Sequence, residues 1–402
     1  MVIGIIGAGA SGMAAAIAAA ENQNAQIVIF ERQARVGRKL QATGNGRCNL
    51  TNLHTALEHY HGNRPDFAGT ALERYGVEDT LSWFRSLGLL PVSEESGRVY
   101  PYSDQANSVV DVLRFALEKP NIRLLTGFEV TKVRHNNPGF TVESAEEKVF
   151  CDRLIVACGG LAGTKLGGSM SGYKILQKLG HRCTKLRPAL VQLKSDWHGC
   201  AALKGVRANC SAQIIHNGNL YTQSRGEVQF TEYGLSGPVI FEISRDVCHE
   251  KGDWVCQLDL LPDLDQNALF AMLRAKRASN LQAEDLLTGV LHNRLGRVIV
   301  KEAGISLHAP IRQLEDWELH RVCEYVHCLP IDLTEPMGMD SAQVTAGGIF
   351  TADFDEETME SRLVPGLFAC GEVLDIDGDC GGYNLQWAWS SGRCAGSAAG
   401  KE

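Results

Sequence analysis

The chain begins Val2-Ile3-Gly4-Ile5-Ile6-Gly7-Ala8-Gly9-Ala10-Ser11-Gly12, and this run determines the architecture around it. The apolar residues 2–6 are typical of a parallel strand that is buried on both faces. The glycines that follow have the spacing G-x-G-x-x-G, which favours a tight turn leading directly into a helix. An alanine-rich stretch then leads to a second apolar strand, which ends at Glu31.

This arrangement predicts an adenine dinucleotide at the start of the first helix. Gly7 permits the turn, Gly9 lets backbone amides approach a pyrophosphate, and Gly12 brings the helix close to the sheet. Glu31 can accept hydrogen bonds from a ribose, and its charge would repel a 2′-phosphate. A glycine-rich turn without a ligand is the alternative, and the fingerprint alone fits both NAD and FAD. The predicted contacts are Gly7, Ala8, Gly9, Ala10, Ser11, Gly12, Glu31 and Arg32.

A second segment, residues 36–52, favours FAD over NAD. It is too rich in glycine, asparagine and cations for a helix or a central strand, so we predict a loop wrapped on a ligand. Its side chains offer donors to phosphate, to ribitol hydroxyls and to the pyrimidine edge of a flavin, a longer surface than NAD needs. A solvated basic loop is the alternative. The predicted contacts are Arg38, Lys39, Asn45, Gly46, Arg47, Cys48, Asn49 and Leu50.

A third segment, residues 367–388, has a similar character near the C terminus. It passes from a short buried strand through a turn rich in glycine and aspartate into a helix, whose amide end is expected to face the flavin. The turn resembles a calcium loop but lacks the glutamate that an EF-hand requires, so no metal is predicted. The predicted contacts are Gly371, Glu372, Asp377, Gly382, Tyr383, Asn384, Leu385, Gln386 and Ala388.

The residues between these segments predict further strands and, with the segments themselves, an organisation into three domains. Residues 128–143 are predicted to form a β-meander in which Val130 contacts adenine through its backbone. Ala157, Cys158 and Gly159 lie at the end of a further buried strand and in the glycine turn after it, and they are predicted to contact the cofactor. We predict an α/β fold: a three-layer, Rossmann-like FAD-binding domain with a parallel sheet and a β-meander. The predicted boundaries are 1–185 with 340–402 for this domain, 186–262 with 328–339 for a β-rich substrate domain, and 263–327 for a helical subdomain.

The chain resembles a family of bacterial NAD(P)/FAD-dependent oxidoreductases that includes 3-dehydro-bile-acid delta-4,6-reductase and aminoacetone oxidase. The runs G-N-G-R-C-N-L-T-N at 44–52 and D-G-D-C-G-G-Y-N-L-Q-W-A-W at 377–389 are highly specific to this family. The family has threonine more often where Cys158 stands. The other matching stretches, which together with these span nearly the whole chain, are residues 7–12, 37–40, 97–101, 226–238, 344–348 and 371–392.

The resemblance implies FAD as the cofactor, NADH or NADPH as a transient hydride donor, and reduction of a conjugated enone in a small, steroid-like substrate. Oxygen is the other redox partner open to a reduced flavin, and the sequence does not separate the two. Arg47, Asn49, Arg98 and Tyr100 are the catalytic candidates, with Tyr100 as the proton donor; a packed turn aromatic is the alternative reading of Tyr100. Two other functions stay open: an oxidase of a small amine such as aminoacetone, and a flavin-binding module linked to tRNA. The twelve histidines show no ligand or triad spacing and are expected to be structural or exposed.

Composition bounds the environment and the partners. The formal net charge of -8 argues against broad nucleic-acid binding. Thirteen cysteines without a C-x-x-C pair argue against a disulfide framework and for a reducing cytoplasm. No apolar stretch reaches membrane-spanning length, and the first strand leaves no room for a signal peptide, so we expect no membrane partner. The sequence predicts no oligomeric state.

Overall fold

The computed structural model describes residues 1–247 and 252–401, apart from the side chain of Asp246. The chain divides into two compact units. The first, which we call the nucleotide unit, comprises Met1–Arg187 and Gln343–Glu402, and the second, the inserted unit, comprises Pro188–Ala342.

The elements are numbered in chain order. The strands are β1 Val2–Ile6, β2 Gln26–Glu31, β3 Thr51–Asn52, β4 Tyr60–His61, β5 Pro91–Ser93, β6 Arg98–Pro101, β7 Ile122–Thr126, β8 Lys132–His135, β9 Phe140–Glu143, β10 Lys148–Cys151, β11 Arg153–Val156, β12 Arg187–Ala189, β13 Leu193–Lys194, β14 Arg207–His216, β15 Asn219–Thr231, β16 Gly234–Ser236, β17 Trp254–Asp259, β18 Leu329–Leu333, β19 Val344–Ala346, β20 Leu367–Ala369 and β21 Asp377–Gly378. The α-helices are α1 Ala10–Ala19, α2 Arg38–Ala42, α3 Ala68–Arg74, α4 Val77–Ser86, α5 Ala106–Ala116, α6 Ser171–Lys178, α7 Gly199–Leu203, α8 Pro238–Val247, α9 Gln266–Ala275, α10 Asn293–Glu302, α11 Asp316–His327 and α12 Tyr383–Ala399.

The nucleotide unit is built on a parallel sheet with the strand order β20-β11-β1-β2-β7. Strands β8, β9 and β10 form an antiparallel meander that contacts β1. The predicted Rossmann-like fold with a parallel sheet and a β-meander is therefore confirmed. Because β20 pairs with β11 and β11 with β1, the C-terminal segment lies in the same sheet as the N-terminal fingerprint.

Helices α1 and α12 pack closely because glycines of α12 face the backbone of α1. A Cβ on Gly392 would lie 2.4 Å from the carbonyl oxygen of Ser11, and a Cβ on Gly396 would lie 2.1 Å from that of Ala15. The two glycines are four residues apart and therefore share one face of α12. This contact holds the two ends of the chain together beside the sheet.

One expectation for residues 36–52 is wrong, because the segment is not a continuous loop. It contains the short helix α2 and the two-residue strand β3. Gly37 precedes α2 with a φ of 67°, a conformation that favours glycine, and Leu40 buries its side chain in the core. One buried leucine and a permissive glycine are sufficient for a single helical turn among otherwise polar residues.

The inserted unit contains an antiparallel sheet with the strand order β13-β16-β15-β14-β17-β18. Asn217 and Gly218 both have positive φ, as a two-residue hairpin turn requires, and they join β14 to β15. Strand β15 is a single strand of 13 residues, where the sequence pattern suggests two. Leucines of α9, α10 and α11 share one hydrophobic core with this sheet. No helix in the described ranges combines the length and apolarity needed to cross a bilayer.

Candidate functional site

The amide end of α1 is open on the side where a phosphate would approach. Among the described residues, no atom lies within 4 Å of a Cβ built on Gly9, whereas a Cβ on Gly12 would lie 1.9 Å from the carbonyl oxygen of Gly7. Gly7 has a φ of 103°. No described side chain caps the helix. Gly7 and Gly12 therefore serve the fold, while Gly9 leaves the first amides of α1 accessible to an anion.

Glu31 is held against this turn by two backbone amides. Its Oε2 accepts a hydrogen bond from Ala8 N at 2.8 Å and its Oε1 accepts one from Gln33 N at 2.7 Å. Each carboxylate oxygen keeps a further lone pair, so the group can still accept from a ribose diol. The next residue, Arg32, donates to the carbonyl oxygen of Gly167, and Arg38 donates to the side chain of Gln33. These two cations stabilise the surrounding loops.

We expect replacement of Glu31 by glutamine to weaken FAD binding about 10- to 100-fold, because a hydrogen bond to a charged acceptor contributes about 1.5–3 kcal/mol. Fluorescence titration of apoprotein with FAD measures the effect. Glu146→Gln, on an exposed turn of the same unit, is the matched control and should bind FAD like the unaltered protein. Equal affinity in Glu31→Gln would contradict a ribose contact.

Strand β11 runs parallel to β1, so the residues that follow the two strands lie at the same edge of the sheet. Ala157 N donates to Ile6 O, and Gly159 has a φ of 68° with open space on its Cβ side among the described atoms. Val130 lies in the connection between β7 and β8.

Burial raises the pKa of the Cys48, Cys158 and Cys370 thiols to about 12. These thiols stay protonated at neutral pH, which does not suit a redox disulfide.

The loop after α2 curls through left-handed conformations. Asn45 has a φ of 55°, Gly46 of 86° and Cys48 of 64°, and a Cβ on Gly46 would meet no described atom within 4 Å. The loop therefore presents backbone to an open side. Leu50, at its end, is buried, and its carbonyl oxygen accepts from Trp389 Nε1 at 2.9 Å.

Two of the predicted cations near this loop are occupied by ion pairs. Arg47 is hydrogen-bonded to Asp104 and Glu94, and its guanidinium lies 3.9 Å from the centre of the Tyr100 ring. Lys39 Nζ lies 2.8 Å from Glu372 Oε2, and Glu372 Oε1 accepts from Thr345 N. Arg47 therefore fixes the Tyr100 ring, and Lys39 ties α2 to the segment after β20.

Two of the catalytic candidates, Arg98 and Asn49, lie at the turn that precedes α12. A Cβ on Gly381 would lie 3.4 Å from Arg98 Nε, and one on Gly382 would lie 2.9 Å from Asn49 Oδ1, a buried oxygen with no partner among the described groups. Tyr100 Cε1 lies 3.4 Å from a Cβ on Gly44. Strand β3 pairs with β6, which contains Arg98 and Tyr100, and Asn49 lies two residues before β3.

The amide end of α12 is shaped by its own side chains. Gly382 has a φ of 107°, and no described side chain caps the helix. Asn384 accepts from Gly378 N and donates to the carbonyl oxygens of Gly378 and Asp379, so it closes the turn. Leu385 is half-buried at the start of the helix. Tyr383, Ala388 and Asp377 are buried, and Asp377 lies in β21, which pairs with β4.

Gln386 is fully buried and its amide group is used inside the protein. Its Oε1 accepts from Thr51 Oγ1 at 2.6 Å. Its Nε2 donates to Tyr75 O, to Thr80 Oγ1 and to Ser390 Oγ. Gln386 therefore joins β3 to α12, and both of its N–H donors are used inside the protein.

We expect Gln386→Leu to lower the free energy of unfolding by about 3–5 kcal/mol, because several buried polar groups lose their partner at once. Urea denaturation of the apoprotein measures this change. Asn136→Ala removes an exposed side-chain hydrogen bond to Thr141 and should cost less than about 0.5 kcal/mol. A similarly small change in Gln386→Leu would show that the network contributes little.

Three residues at or beside this turn are not among the residues predicted from the sequence: His59, His61 and Asp379. His59 Nδ1 lies 3.0 Å from Asp379 Oδ2, and His61 Nε2 lies 2.7 Å from Asp379 Oδ1. The alternation His-Tyr-His indicates a strand with both histidines on one face. Their acidic partner lies more than 300 residues away in the sequence, so spacing alone could not reveal the cluster.

Surface clefts also lie among the described residues of the inserted unit. A polar cleft of about 660 Å³ is lined by residues that include Lys194, Trp197, His198 and Glu232. A more apolar cleft of about 470 Å³ includes Leu260, Leu261 and Leu264. Neither contains a predicted site residue.

The residues of the nucleotide unit fit FAD. The amide end of α1 is open, no described side chain caps α12, and no described atom fills the Cβ side of Gly9, Gly46 or Gly159. Glu31 keeps lone pairs that can accept hydrogen bonds from a ribose. Within the described ranges, no set of three or more His, Cys, Asp or Glu side chains converges to hold a metal. The fold and this site define the class, an FAD-dependent oxidoreductase.

Comparison with known proteins identifies the family. Residues 1–398 match the HI0933-like protein Rossmann domain, and the chain belongs to this family. It is 39% identical to the 3-dehydro-bile acid delta(4,6)-reductase of Clostridium scindens, over 99% of this chain and 98% of that protein. It is 33% identical to the ribosomal RNA dihydrouridine synthase of Escherichia coli, over 96% and 95% of the two chains.

A solved structure supports the fold alone. The 3-ketosteroid delta1-dehydrogenase of Sterolibacterium denitrificans, in complex with 1,4-androstadiene-3,17-dione, is 11% identical to this chain. The match covers 99% of both chains with a TM-score of 0.51. The resemblance stated from the sequence motifs is thus confirmed at the level of the family.

Proposed function

We propose that this protein reduces a carbon–carbon double bond conjugated to a carbonyl group in a small, steroid-like molecule, with NADH or NADPH as the hydride donor. The observation that carries the proposal is the 39% identity to the bile acid reductase, which extends over 99% of the chain and therefore includes the inserted unit. The insertion is the part in which we place substrate selection.

The names of two relatives describe one kind of chemistry. A delta(4,6)-reductase of a 3-dehydro bile acid and a dihydrouridine synthase both add two hydrogens across a double bond conjugated to a carbonyl group. Bound FAD would accept hydride from NAD(P)H and pass hydride to the β-carbon of the substrate. A proton must then reach the α-carbon, so that NAD(P)H and one proton are consumed for each double bond reduced.

We propose that the hydroxyl group of Tyr100 donates this proton to the substrate. Burial raises the pKa of its hydroxyl, although the nearby Arg98 and Arg47 act in the opposite direction, so the group stays protonated at neutral pH. Arg98 lies beside the turn that precedes α12. It supplies a positive charge for the carbonyl oxygen of the substrate, where negative charge develops during the reaction. Asn49 stays a binding candidate through its unpartnered oxygen.

Reduction of uracil in ribosomal RNA is the second candidate, favoured by the identity to the Escherichia coli protein. The charge of the chain argues against it. Residues 188–342 contain 14 basic and 20 acidic residues, a formal net charge of -6, and the whole chain carries -8. Phosphate contacts dominate RNA affinity and require a surplus of Lys and Arg. We therefore propose a small-molecule substrate and no nucleic acid partner.

We place the protein in the cytoplasm, where the free thiols among its described residues would stay reduced.

An anaerobic acceptor screen tests the proposal. Holoprotein is mixed with NADH or NADPH and then with a 3-oxo-4,6-diene steroid, a uridine-containing ribosomal RNA fragment, or no acceptor. We expect NAD(P)H consumption with the steroid and none with RNA. In a parallel aerobic assay, aminoacetone is expected to yield no stoichiometric peroxide. Turnover of RNA alone, or of aminoacetone alone, would overturn the proposal in favour of the corresponding alternative.

A further inference from the structure

Two stretches of the nucleotide unit are rich in cations although the whole chain is acidic. Residues 32–57 contain five Lys and Arg residues, residues 153–187 contain seven, and neither range contains Asp or Glu. Both ranges belong to the nucleotide unit, whereas the whole chain has a formal net charge of -8. Positive charge in these ranges can therefore create a local field that attracts anions to a protein that is negative overall.

The two stretches contact each other beside the end of β2. Arg32 donates from Nη2 to the carbonyl oxygen of Gly167 at 2.5 Å. Helix α2, which begins at Arg38, packs against the short helical turn that contains Lys165. Lys165 therefore lies next to the loop that carries Arg35 and Arg38. We call Arg35, Arg38 and Lys165 the outer cations.

The outer cations are exposed, and no carboxylate among the described residues forms an ion pair with them. Arg38 Nη1 donates to the neutral side chain of Gln33 at 3.1 Å, which leaves its other N–H groups available. By contrast, Lys39 is paired with Glu372, and Arg47 is paired with two carboxylates. The charge of the outer cations is therefore not neutralised from within the described protein, and a bound anion would neutralise it.

Open backbone lies beside these side chains. Gly167 has a φ of 118°, and no described atom lies within 4 Å of a Cβ built on it. Helix α2 leads from Arg38 to the loop at Gly46, which is open in the same sense and which we predict to lie against the flavin. A helix of five residues is about 7.5 Å long. An extended dinucleotide with its phosphates at the outer cations is long enough to reach this loop with its other end.

We propose that the outer cations bind the phosphate groups of the hydride donor and select NADPH over NADH. The inference rests on the proposed function, in which NAD(P)H reduces the flavin. The sequence contains one dinucleotide fingerprint, whose acid, Glu31, disfavours a 2′-phosphate, so NADPH needs a second phosphate site. The 2′-phosphate, which NADH lacks, adds a charge of about -1.5 to -2 at neutral pH. Arginine side chains match the geometry of phosphate oxygens and bind them with paired hydrogen bonds.

The test compares flavin reduction by NADPH and by NADH in anaerobic stopped-flow experiments on the holoprotein. We expect the unaltered protein to reach its half-maximal reduction rate at a concentration of NADPH about tenfold or more below that of NADH. The triple variant Arg35→Gln, Arg38→Gln, Lys165→Gln should need about 30-fold more NADPH but less than about fivefold more NADH. Its limiting reduction rate and its FAD content should not change, because the outer cations contact the donor away from the reacting atoms.

The matched control is the triple variant Arg123→Gln, Lys132→Gln, Lys148→Gln, which loses the same formal charge from exposed strand positions of the same unit. It should keep the preference of the unaltered protein for NADPH. Calorimetry supplies a readout that needs no flavin reduction and no variant. We expect unaltered holoprotein to bind adenosine 2′,5′-bisphosphate about tenfold or more tightly than 5′-AMP.

Equal use of NADPH and NADH by the unaltered protein, or an unchanged NADPH dependence in the triple variant of the outer cations, would overturn the inference and leave the proposed function intact. Loss of FAD from that variant would assign the outer cations to FAD. Loss of affinity for a ribosomal RNA fragment with unchanged NADPH kinetics would assign them to RNA, and either result overturns the inference. Flavin that neither nucleotide reduces would overturn both the inference and the hydride donor of the proposed function.

Discussion

Replacement of Gly12 by valine is expected to prevent folding of the nucleotide unit and to abolish FAD uptake. A Cβ at this position would lie 1.9 Å from Gly7 O and 3.3 Å from the side chain of Ala157. Both neighbours belong to the parallel sheet or its turns and cannot rotate away. Overpacking of this kind costs about 3 kcal/mol or more, a large fraction of the stability of a domain. Soluble yield and thermal melting measure the effect.

Gly9→Val is the matched comparison, three residues earlier in the same fingerprint. Gly9 has a φ of -82°, which valine can adopt, and its Cβ side is open among the described atoms. We expect this variant to fold with a melting temperature close to that of unaltered apoprotein but to lose FAD affinity, because the side chain occupies the space of the pyrophosphate. Full FAD affinity in Gly9→Val would show that the anion does not bind at α1.

Tyr100→Phe is expected to slow double-bond reduction by about 100-fold or more, the range for loss of a general acid. The phenyl ring keeps the contact with the Arg47 guanidinium, so the fold and the FAD content should not change. Reduction of bound flavin by NAD(P)H should also keep its rate, since that half-reaction needs no proton at the substrate carbon. Stopped-flow measurement of the two half-reactions separates these effects.

The control for this variant is Tyr102→Phe, two residues further along, where 71% of the residue is exposed. It should react like the unaltered protein. Because burial raises the pKa of Tyr100, the unaltered protein should keep its rate into the alkaline range and lose it only when the hydroxyl ionises. Equal slowing of both half-reactions in Tyr100→Phe would contradict the role as proton donor.

The parts predicted well from sequence are those in which neighbouring residues determine local structure. The glycines at 7, 9 and 12 fix a strand, a turn and a helix within a few residues. Glu31 lies at the end of the next strand, at the spacing from these glycines that the dinucleotide-binding motif requires. The start of α12 after Gly382 and its end at Ala399 also follow from local signals. Strand β20, near the C terminus, joins the sheet of the N-terminal fingerprint through β11.

Side-chain partners distant in sequence could not be predicted in this way. Gln386 looks like a ligand residue beside Asn384, but it is fully buried and its N–H donors bond to Tyr75, Thr80 and Ser390 inside the protein. Arg47 looks like a phosphate contact, yet Asp104 and Glu94 bind it. The contacts of His59 and His61 with Asp379 depend on the pairing of β4 with β21. Nothing in the local sequence of either strand specifies that pairing, because two-residue strands carry almost no periodic signal.

We propose that FAD in this protein relays hydride to a double bond conjugated to a carbonyl group. The most direct measurement is a single turnover without oxygen, in which flavin bound to the protein is first reduced and then mixed with one equivalent of a 3-oxo-4,6-diene steroid. We predict that the visible absorption of oxidised flavin returns and that the steroid gains two hydrogens by mass spectrometry, while the saturated 3-oxo steroid leaves the flavin reduced. Flavin that stays reduced with every conjugated ketone, or that reoxidises equally with the saturated one, would contradict the account.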